Sequence, residues 1–150
     1  MKIVLYSPYF PDHYGGGEKY FLDAALVWSR AGHQVVIALD NRPRNYQQIK
    51  KSYQQFLGRS LGDINFIPSP LAGGNVLTKL WWTKQFDVLY YLTDGSAFLS
   101  AAAKNIMHIQ TPLLLPKKKA WEKFKFSRFH LINTNSVFTK KIVADRKSVV

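Results

Sequence analysis

Three consecutive glycines, Gly15, Gly16 and Gly17, stand between an apolar run at residues 3–6 and a helical pattern that begins at Glu18. Because glycine has no side chain, its backbone N–H group can approach a ligand closely. A helix N-terminus adds unsatisfied N–H donors and a partial positive charge. A strand, a glycine loop and a helix in this order therefore predict a phosphate-binding site built from Gly15, Gly16, Gly17 and Glu18.

Two common phosphate motifs do not fit this loop. A dinucleotide fold requires Gly-x-Gly-x-x-Gly, and the third glycine position here is Tyr20. A P-loop requires Gly-Lys-Ser/Thr before the helix, whereas this chain has Gly17-Glu18-Lys19. A linker without a ligand stays open as an alternative, and Glu18 can serve only to stabilise the helix N-terminus.

Two further groups of polar residues lie at the ends of predicted strands or directly after them. His108 and Gln110 point to the same side of the fifth strand, because side chains alternate along a strand. Asp94, Gly95 and Ser96 follow the fourth strand. The alternatives are a core position for His108, and for residues 94–96 a turn in which Ser96 caps a helix.

A basic segment spans residues 117–129, with six Lys or Arg residues and one acidic residue interleaved with aromatic side chains. This pattern suits an anionic membrane interface or single-stranded nucleic acid. We predict that Lys117, Lys118, Lys119 and Trp121 contact a membrane surface. A solvated basic surface over a few core aromatics is the alternative.

Composition narrows the class of protein. The 150 residues are 47% hydrophobic and 20% charged, which is globular composition. The net charge of +12 indicates an anionic partner. The chain has no cysteine, which excludes disulfides and thiolate metal sites. No apolar run reaches the roughly 18 residues of a membrane span, and these features predict a cytoplasmic protein.

Strand and helix patterns alternate along the whole chain. The predicted strands are 3–7, 34–39, 64–67, 88–92, 106–110 and 131–133, and another starts at 148–150. The predicted helices are 18–30, 46–57, one around 77–81, 97–104, and one from 136 to 143. This order predicts an α/β fold, a Rossmann-like three-layer α/β/α domain with an open parallel sheet.

Several motifs occur together in a specific order. Residues 6–11 read Tyr-Ser-Pro-Tyr-Phe-Pro, 15–18 Gly-Gly-Gly-Glu, and 29–35 Ser-Arg-Ala-Gly-His-Gln-Val. Phe-Asp-Val-Leu at 86–89, Gln-Thr-Pro at 110–112 and Asn-Ser-Val-Phe-Thr at 135–139 follow. Over essentially its whole length the chain resembles the N-terminal domain of GT-B glycosyltransferases, most closely the retaining family 4 type.

The resemblance implies transfer of a sugar from a nucleotide-sugar, a UDP- or GDP-sugar, to a sugar or lipid-linked acceptor, with no cofactor and no bound metal. Residues 1–150 would be the acceptor-side domain. The C-terminal domain that binds the nucleotide would be absent, so this chain alone is expected to be inactive. The glycine loop would approach the donor diphosphate, and Asp94, Gly95 and Ser96 would bind acceptor.

His108 and Gln110 are the catalytic candidates that the resemblance implies. Many relatives place a histidine directly before Thr-Pro, where this chain has Gln110, which cannot act as an acid or base. The implied setting is cell-envelope polysaccharide synthesis, in the cytoplasm and peripherally on the inner face of the plasma membrane. The alternative is a stand-alone basic α/β module that binds nucleic acid or anionic surfaces; no RNA-binding motif is evident, so nucleic acid is the less favoured partner.

Overall fold

A computed structural model of the chain describes residues 1–11, 14–40, 45–111 and 120–147, with side chains up to residue 144. The strands are β1 (Lys2–Tyr6), β2 (Gln34–Asp40), β3 (Asn65–Ser69), β4 (Val88–Thr93), β5 (Lys104–Ile109) and β6 (Leu131–Thr134). The helices are α1 (Gly16–Arg30), α2 (Tyr46–Leu57), α3 (Val76–Thr83), α4 (Ala120–Ser127) and α5 (Val137–Lys147).

The six strands form one open sheet in the order β3-β2-β1-β4-β5-β6, and every neighbouring pair is parallel. The strand order reverses between β1 and β4, which lie side by side, and open sheets of this kind bind ligands at the carboxyl edge of that switch point. The predicted Rossmann-like three-layer fold with a parallel sheet is confirmed.

Two hydrophobic cores fill the space on either side of the sheet. One packs α1 and α2 against the sheet and contains Phe21, Leu22 and Tyr53. The other lies beneath α3, α4 and α5 and includes Phe126, with Trp82 packed against it. Because helices cover both faces, all six residues of β4 are buried, which explains the near-continuous apolar runs in the sequence.

The predicted helix at 97–104 is wrong, because the chain between β4 and β5 is irregular. Backbone N–H groups of this segment donate to a side chain and to a neighbouring loop, and not to carbonyl groups one helical turn earlier. Thr83 Oγ1 accepts from the Ala101 N–H at 2.9 Å, and the Phe86 carbonyl accepts from the Ala103 N–H at 3.3 Å. The hydroxyl of Ser96, predicted as a helix cap, hydrogen-bonds to Tyr91 instead.

Smaller differences concern element ends. β3 continues through Pro68 to Ser69, because it is the edge strand of the sheet and a proline there removes no ladder hydrogen bond. α1 begins at Gly16 rather than Glu18, so two of the glycines belong to its first turn. The predicted strand start at 148–150 lies outside the described residues. Within those residues, no helix has both the length and the hydrophobicity to cross a bilayer.

Candidate functional site

The N-terminus of α1 opens at the carboxyl edge of the sheet, directly after the loop that follows β1. Gly15 is the N-cap residue, and its N–H donates to the Glu18 carboxylate at 3.1 Å. The first N–H groups of a helix have no partner within it. No described residue accepts a hydrogen bond from the N–H of Gly16 or Gly17. Glu18 therefore holds the loop closed through its hydrogen bond with Gly15, and the N–H groups of Gly16 and Gly17 remain available to an anion.

The structure brings Gln110 against this loop. A Cβ atom placed on Gly17 would lie only 2.6 Å from Gln110 Nε2 and 2.8 Å from Oε1, so the side-chain amide occupies the space that any other residue at 17 would need. The Gln110 N–H donates to the Thr93 carbonyl at 3.0 Å, which ties the end of β5 to that of β4. A Cβ atom on Gly16 would meet nothing within 4 Å. The amide of Gln110 and the helix donors therefore form one polar cluster.

His108 lies deeper than Gln110, in the core. Its side chain is 4% exposed and lies beneath the ring of Tyr20, with the two ring centroids 4.7 Å apart. Its Nδ1 has no hydrogen-bond partner among the described residues. Burial lowers the pKa of the imidazole, which favours the neutral form. Of the two catalytic candidates, Gln110 is the one in contact with the glycine loop.

The buried state of His108 predicts a pH dependence of stability. Its pKa in the folded protein lies below the value of about 6.5 that an unfolded chain gives it. As the pH falls through that value, the unfolded state takes up a proton that the folded state does not, so stability decreases. Each unit of difference in pKa corresponds to about 1.4 kcal/mol. We expect the free energy of unfolding in urea to fall less between about pH 7 and about pH 5 in His108→Phe than in the wild type.

His33→Gln provides the control for this comparison, since it removes a histidine from another part of the fold, between α1 and β2. Equal pH dependence of the wild type and His108→Phe would contradict burial of His108 as a neutral group.

The turn after β4 closes on the loop after β1. The Tyr9 hydroxyl donates to the Asp94 carboxylate, so the two strand ends beside the switch point are bridged. Burial first, and then this hydrogen bond, raise the pKa of Tyr9. Gly95 has a φ of 114°, a left-handed conformation that favours glycine. Asp94, Gly95 and Ser96 thus form an ordered turn at the site, next to Tyr9.

The aromatic residues of the basic segment separate into two groups. Phe126 and Phe129 are buried in the core, whereas Trp121 on α4 is 53% exposed and stacks on Phe124 with ring centroids 5.6 Å apart. Lys117, Lys118 and Lys119 lie outside the described residues. On the same side of the sheet, α3 presents two further exposed side chains, Leu77 (77%) and Trp81 (78%). We call Leu77, Trp81, Trp121 and Phe124 the apolar surface.

Sequence reasoning did not single out Tyr9, Leu77 or Trp81 for the site or its surroundings. Tyr9 lies in the segment after β1, where its position at a carboxyl edge was an available signal. For Leu77 and Trp81 the helical spacing was visible, but spacing on so short a helix does not tell an outward face from an inward one. In the described part of the chain, no group of three or more His, Cys, Asp or Glu side chains could hold a metal ion.

In comparisons with known proteins, the chain matches no protein-family model, no curated protein and no solved structure.

Proposed function

We propose that this chain is the acceptor-side domain of a GT-B glycosyltransferase of the retaining family 4 type. It would contribute the glycine loop and the acceptor surface for transfer of a sugar from a UDP- or GDP-sugar. One observation carries the proposal. The free N–H groups of Gly16 and Gly17 and the amide of Gln110 come together at the carboxyl edge of a doubly wound sheet.

This cluster suits a leaving diphosphate. In sugar transfer, the bond between the anomeric carbon and the phosphate oxygen breaks, and both electrons leave with the diphosphate. The acceptor hydroxyl forms the new C–O bond, and its proton would pass to the oxygen of the departing diphosphate, which has gained the electron pair. The helix N–H donors would stabilise the negative charge that develops on the phosphate oxygen, as preorganised dipoles do. Gln110 can donate to that oxygen or to a sugar hydroxyl but cannot carry the proton.

Two observations support this division of roles. Glu18 is already hydrogen-bonded to Gly15, so its role would be to shape the loop rather than to contact phosphate. The Gln110 N–H donates to Thr93, directly before Asp94, so the Tyr9–Asp94 pair and the turn through Ser96 would offer hydroxyl and carboxylate groups to an acceptor near the diphosphate cluster. The nucleotide itself would be held by a second domain, as the resemblance implies.

The acceptor would be lipid-linked and the domain peripheral on an anionic membrane. Helices of parallel βα units begin at the carboxyl edge, so Leu77 and Trp121, each near the start of its helix, lie toward the edge that carries the site. Exposed tryptophans beside a basic segment are typical of a membrane interface. A cytoplasmic location on the inner face of the plasma membrane follows from this proposal.

A stand-alone module that binds nucleic acid is the second candidate. The net charge of +12 favours it, because a basic protein attracts any polyanion. The nucleic-acid candidate gives no functional reason for the close approach of Gly17 and Gln110. Salt-sensitive binding to single-stranded RNA, without a response of the glycine loop to nucleotide-sugars, would favour this candidate.

Replacement of Gly17 tests the proposed function. In an NMR titration of the 150-residue chain, we expect UDP-glucose or GDP-mannose to shift the amide signals of residues 16–19 and the side-chain amide of Gln110. In Gly17→Ala the new Cβ atom displaces the flexible end of Gln110, so stability changes little while affinity falls by about tenfold, or about 1.4 kcal/mol.

Gly73→Ala is the matched control, because its Cβ atom meets nothing within 4 Å and Gly73 lies outside the glycine loop, so we expect it to keep the affinity. UMP, which has no diphosphate, is expected to shift these signals much less. Absence of any shift at residues 16–19 with both nucleotide-sugars, or equal losses in the two variants, would contradict the role of the loop.

A further inference from the structure

A cavity of about 260 Å³ lies at the carboxyl edge on the side of the sheet opposite to α1. Its wall includes Tyr6 from the end of β1, Tyr91 from β4 and Phe98 from the irregular segment after β4. Lys79 of α3 and Ser96 contribute polar groups to the same cavity. None of the roles assigned to the glycine loop uses this cavity, although Ser96 connects it to the Asp94 turn.

Three aromatic rings in mutual contact form the wall of the cavity. The rings of Tyr6 and Tyr91 stack with centroids 5.6 Å apart and planes 11° from parallel, and the ring of Phe98 meets both edge-on at 5.9 Å and 4.9 Å. Stacked and edge-to-face pairs of this kind are favourable beyond the area that they bury. An apolar wall with a few convergent polar groups is typical of a small-molecule site. Tyr6 and Tyr91 are each only 3% exposed, so the half-buried Phe98 presents the accessible part of this wall.

Lys79 is the cationic side chain in the wall of this cavity. No carboxylate among the described residues forms an ion pair with it. Its ammonium lies 5.9 Å from the centre of the Phe98 ring. Partial burial, and secondly the charge of Lys125, lower its pKa, since both disfavour the charged form. An anion bound beside Lys79 would remove this electrostatic cost.

Hydroxyl groups of Tyr91 and Ser96 also contribute to the lining of the cavity. The Tyr91 hydroxyl and Ser96 Oγ share a hydrogen bond of 2.7 Å, and Ser96 Oγ also lies 3.0 Å from Thr93 Oγ1. Each hydroxyl has one donor and two acceptor sites, so the pair retains capacity for a ligand hydroxyl. The cavity is smaller than the roughly 300 to 1,000 Å³ of drug-sized sites, which suits one sugar unit.

We propose that this cavity binds an anionic sugar, a pyranose carrying a carboxylate or a phosphate, with Lys79 as the counter-ion and Phe98, backed by Tyr6 and Tyr91, against the ring. The assignment of this sugar as the acceptor rests on the proposed function; the binding itself does not. The position of Ser96, two residues after Asp94, places the bound sugar next to the turn proposed to hold acceptor hydroxyls.

Direct titration of the 150-residue chain tests this site. We expect glucuronate and glucose 6-phosphate to shift the NMR amide signals of residues 71–72, 79 and 95–98, and glucose and inorganic phosphate to bind at least about tenfold more weakly. The ratio between glucuronate and glucose 6-phosphate identifies the anion that the site prefers. Lys79→Met should weaken binding of the anionic sugars by about tenfold and leave that of glucose unchanged, whereas Lys79→Arg should retain binding.

Lys84→Met is the matched control, since Lys84 is exposed at the end of the same helix and should not affect binding. Equal affinity for glucose and the charged sugars, no effect of Lys79→Met, an equal loss in Lys84→Met, or absence of shifts at residues 95–98 would each overturn the proposal.

The experiments distinguish failure of the cavity proposal from failure of the proposed function. If UDP-glucose shifts residues 16–19 while the anionic sugars leave residues 95–98 unchanged, the cavity assignment is overturned and the proposed function stands. If the anionic sugars bind and depend on Lys79 while no nucleotide-sugar affects the glycine loop, the proposed function is overturned and the anionic-sugar site stands.

Discussion

Replacement of Tyr53 by alanine is expected to lower the free energy of unfolding by about 3–5 kcal/mol, the range for removal of a large buried aromatic side chain. Tyr53 on α2 is completely buried, and its ring stacks on Phe10 with centroids 4.5 Å apart. Its hydroxyl donates to the Pro11 carbonyl at 2.8 Å. The side chain thus joins α2 to the loop after β1, the same loop that leads to the glycines.

Urea unfolding followed by circular dichroism measures this effect. Tyr53→Phe keeps the ring but leaves the Pro11 carbonyl without its donor, so a loss of about 1 kcal/mol is expected. Phe56→Ala, on the same helix but 39% exposed, should cost no more than about half as much as Tyr53→Ala. A loss below about 1 kcal/mol in Tyr53→Ala would contradict the packing of the loop against α2.

Removal of the apolar surface is expected to abolish binding to anionic vesicles. The variant Leu77→Ser/Trp81→Ser/Trp121→Ser/Phe124→Ser deletes four exposed apolar side chains. Full burial of such a side chain contributes about 1.5–3 kcal/mol, so even partial insertion of four exceeds the 2.8 kcal/mol or so of a hundredfold change in affinity. Because all four are exposed, the fold should tolerate the change.

Co-sedimentation with phosphatidylglycerol-containing and pure phosphatidylcholine vesicles, at low and moderate salt, measures this binding. Lys117→Glu/Lys118→Glu/Lys119→Glu tests the electrostatic part, since each basic residue near such a surface contributes about 1 kcal/mol and salt screens it. Val27→Ser is the control, because Val27 is 63% exposed on α1, on the other side of the sheet. Unchanged vesicle binding of the four-residue variant would exclude the apolar surface as the anchor.

The regular elements were largely predictable because their signals are local. Buried parallel strands appear as short apolar runs, and β1, β2 and β4 were located to within one or two residues. α2 was predicted with its observed bounds, and the structure shows that Asn45 and Gly58 cap its two ends. The predicted helix at 97–104 is wrong for a non-local reason. Thr83, 18 residues earlier in the chain, accepts a hydrogen bond from the Ala101 N–H, so the irregular segment does not leave that donor unpaired.

The positions of the aromatic residues in the segment 117–129 likewise depend on contacts that local sequence signals do not reveal. Their spacing on a helical wheel did not separate an inner from an outer face. The structure does so through contacts with other elements, because Phe126 and Phe129 join the core beneath the sheet while Trp121 and Phe124 stack on each other outside it. Whether an aromatic side chain is core or surface depends on the elements that pack against its helix.

The sequence by itself determined that this protein is a parallel α/β domain with a glycine-rich turn before its first helix, because strand, turn and helix preferences act over a few neighbouring residues. Only the tertiary structure decided that Gly17 lies against Gln110, that His108 is buried, and that Lys79 faces an aromatic cavity with no carboxylate partner in the described part of the chain. Those relationships join residues far apart in the chain, and they arise when the sheet places the ends of β1, β4 and β5 side by side.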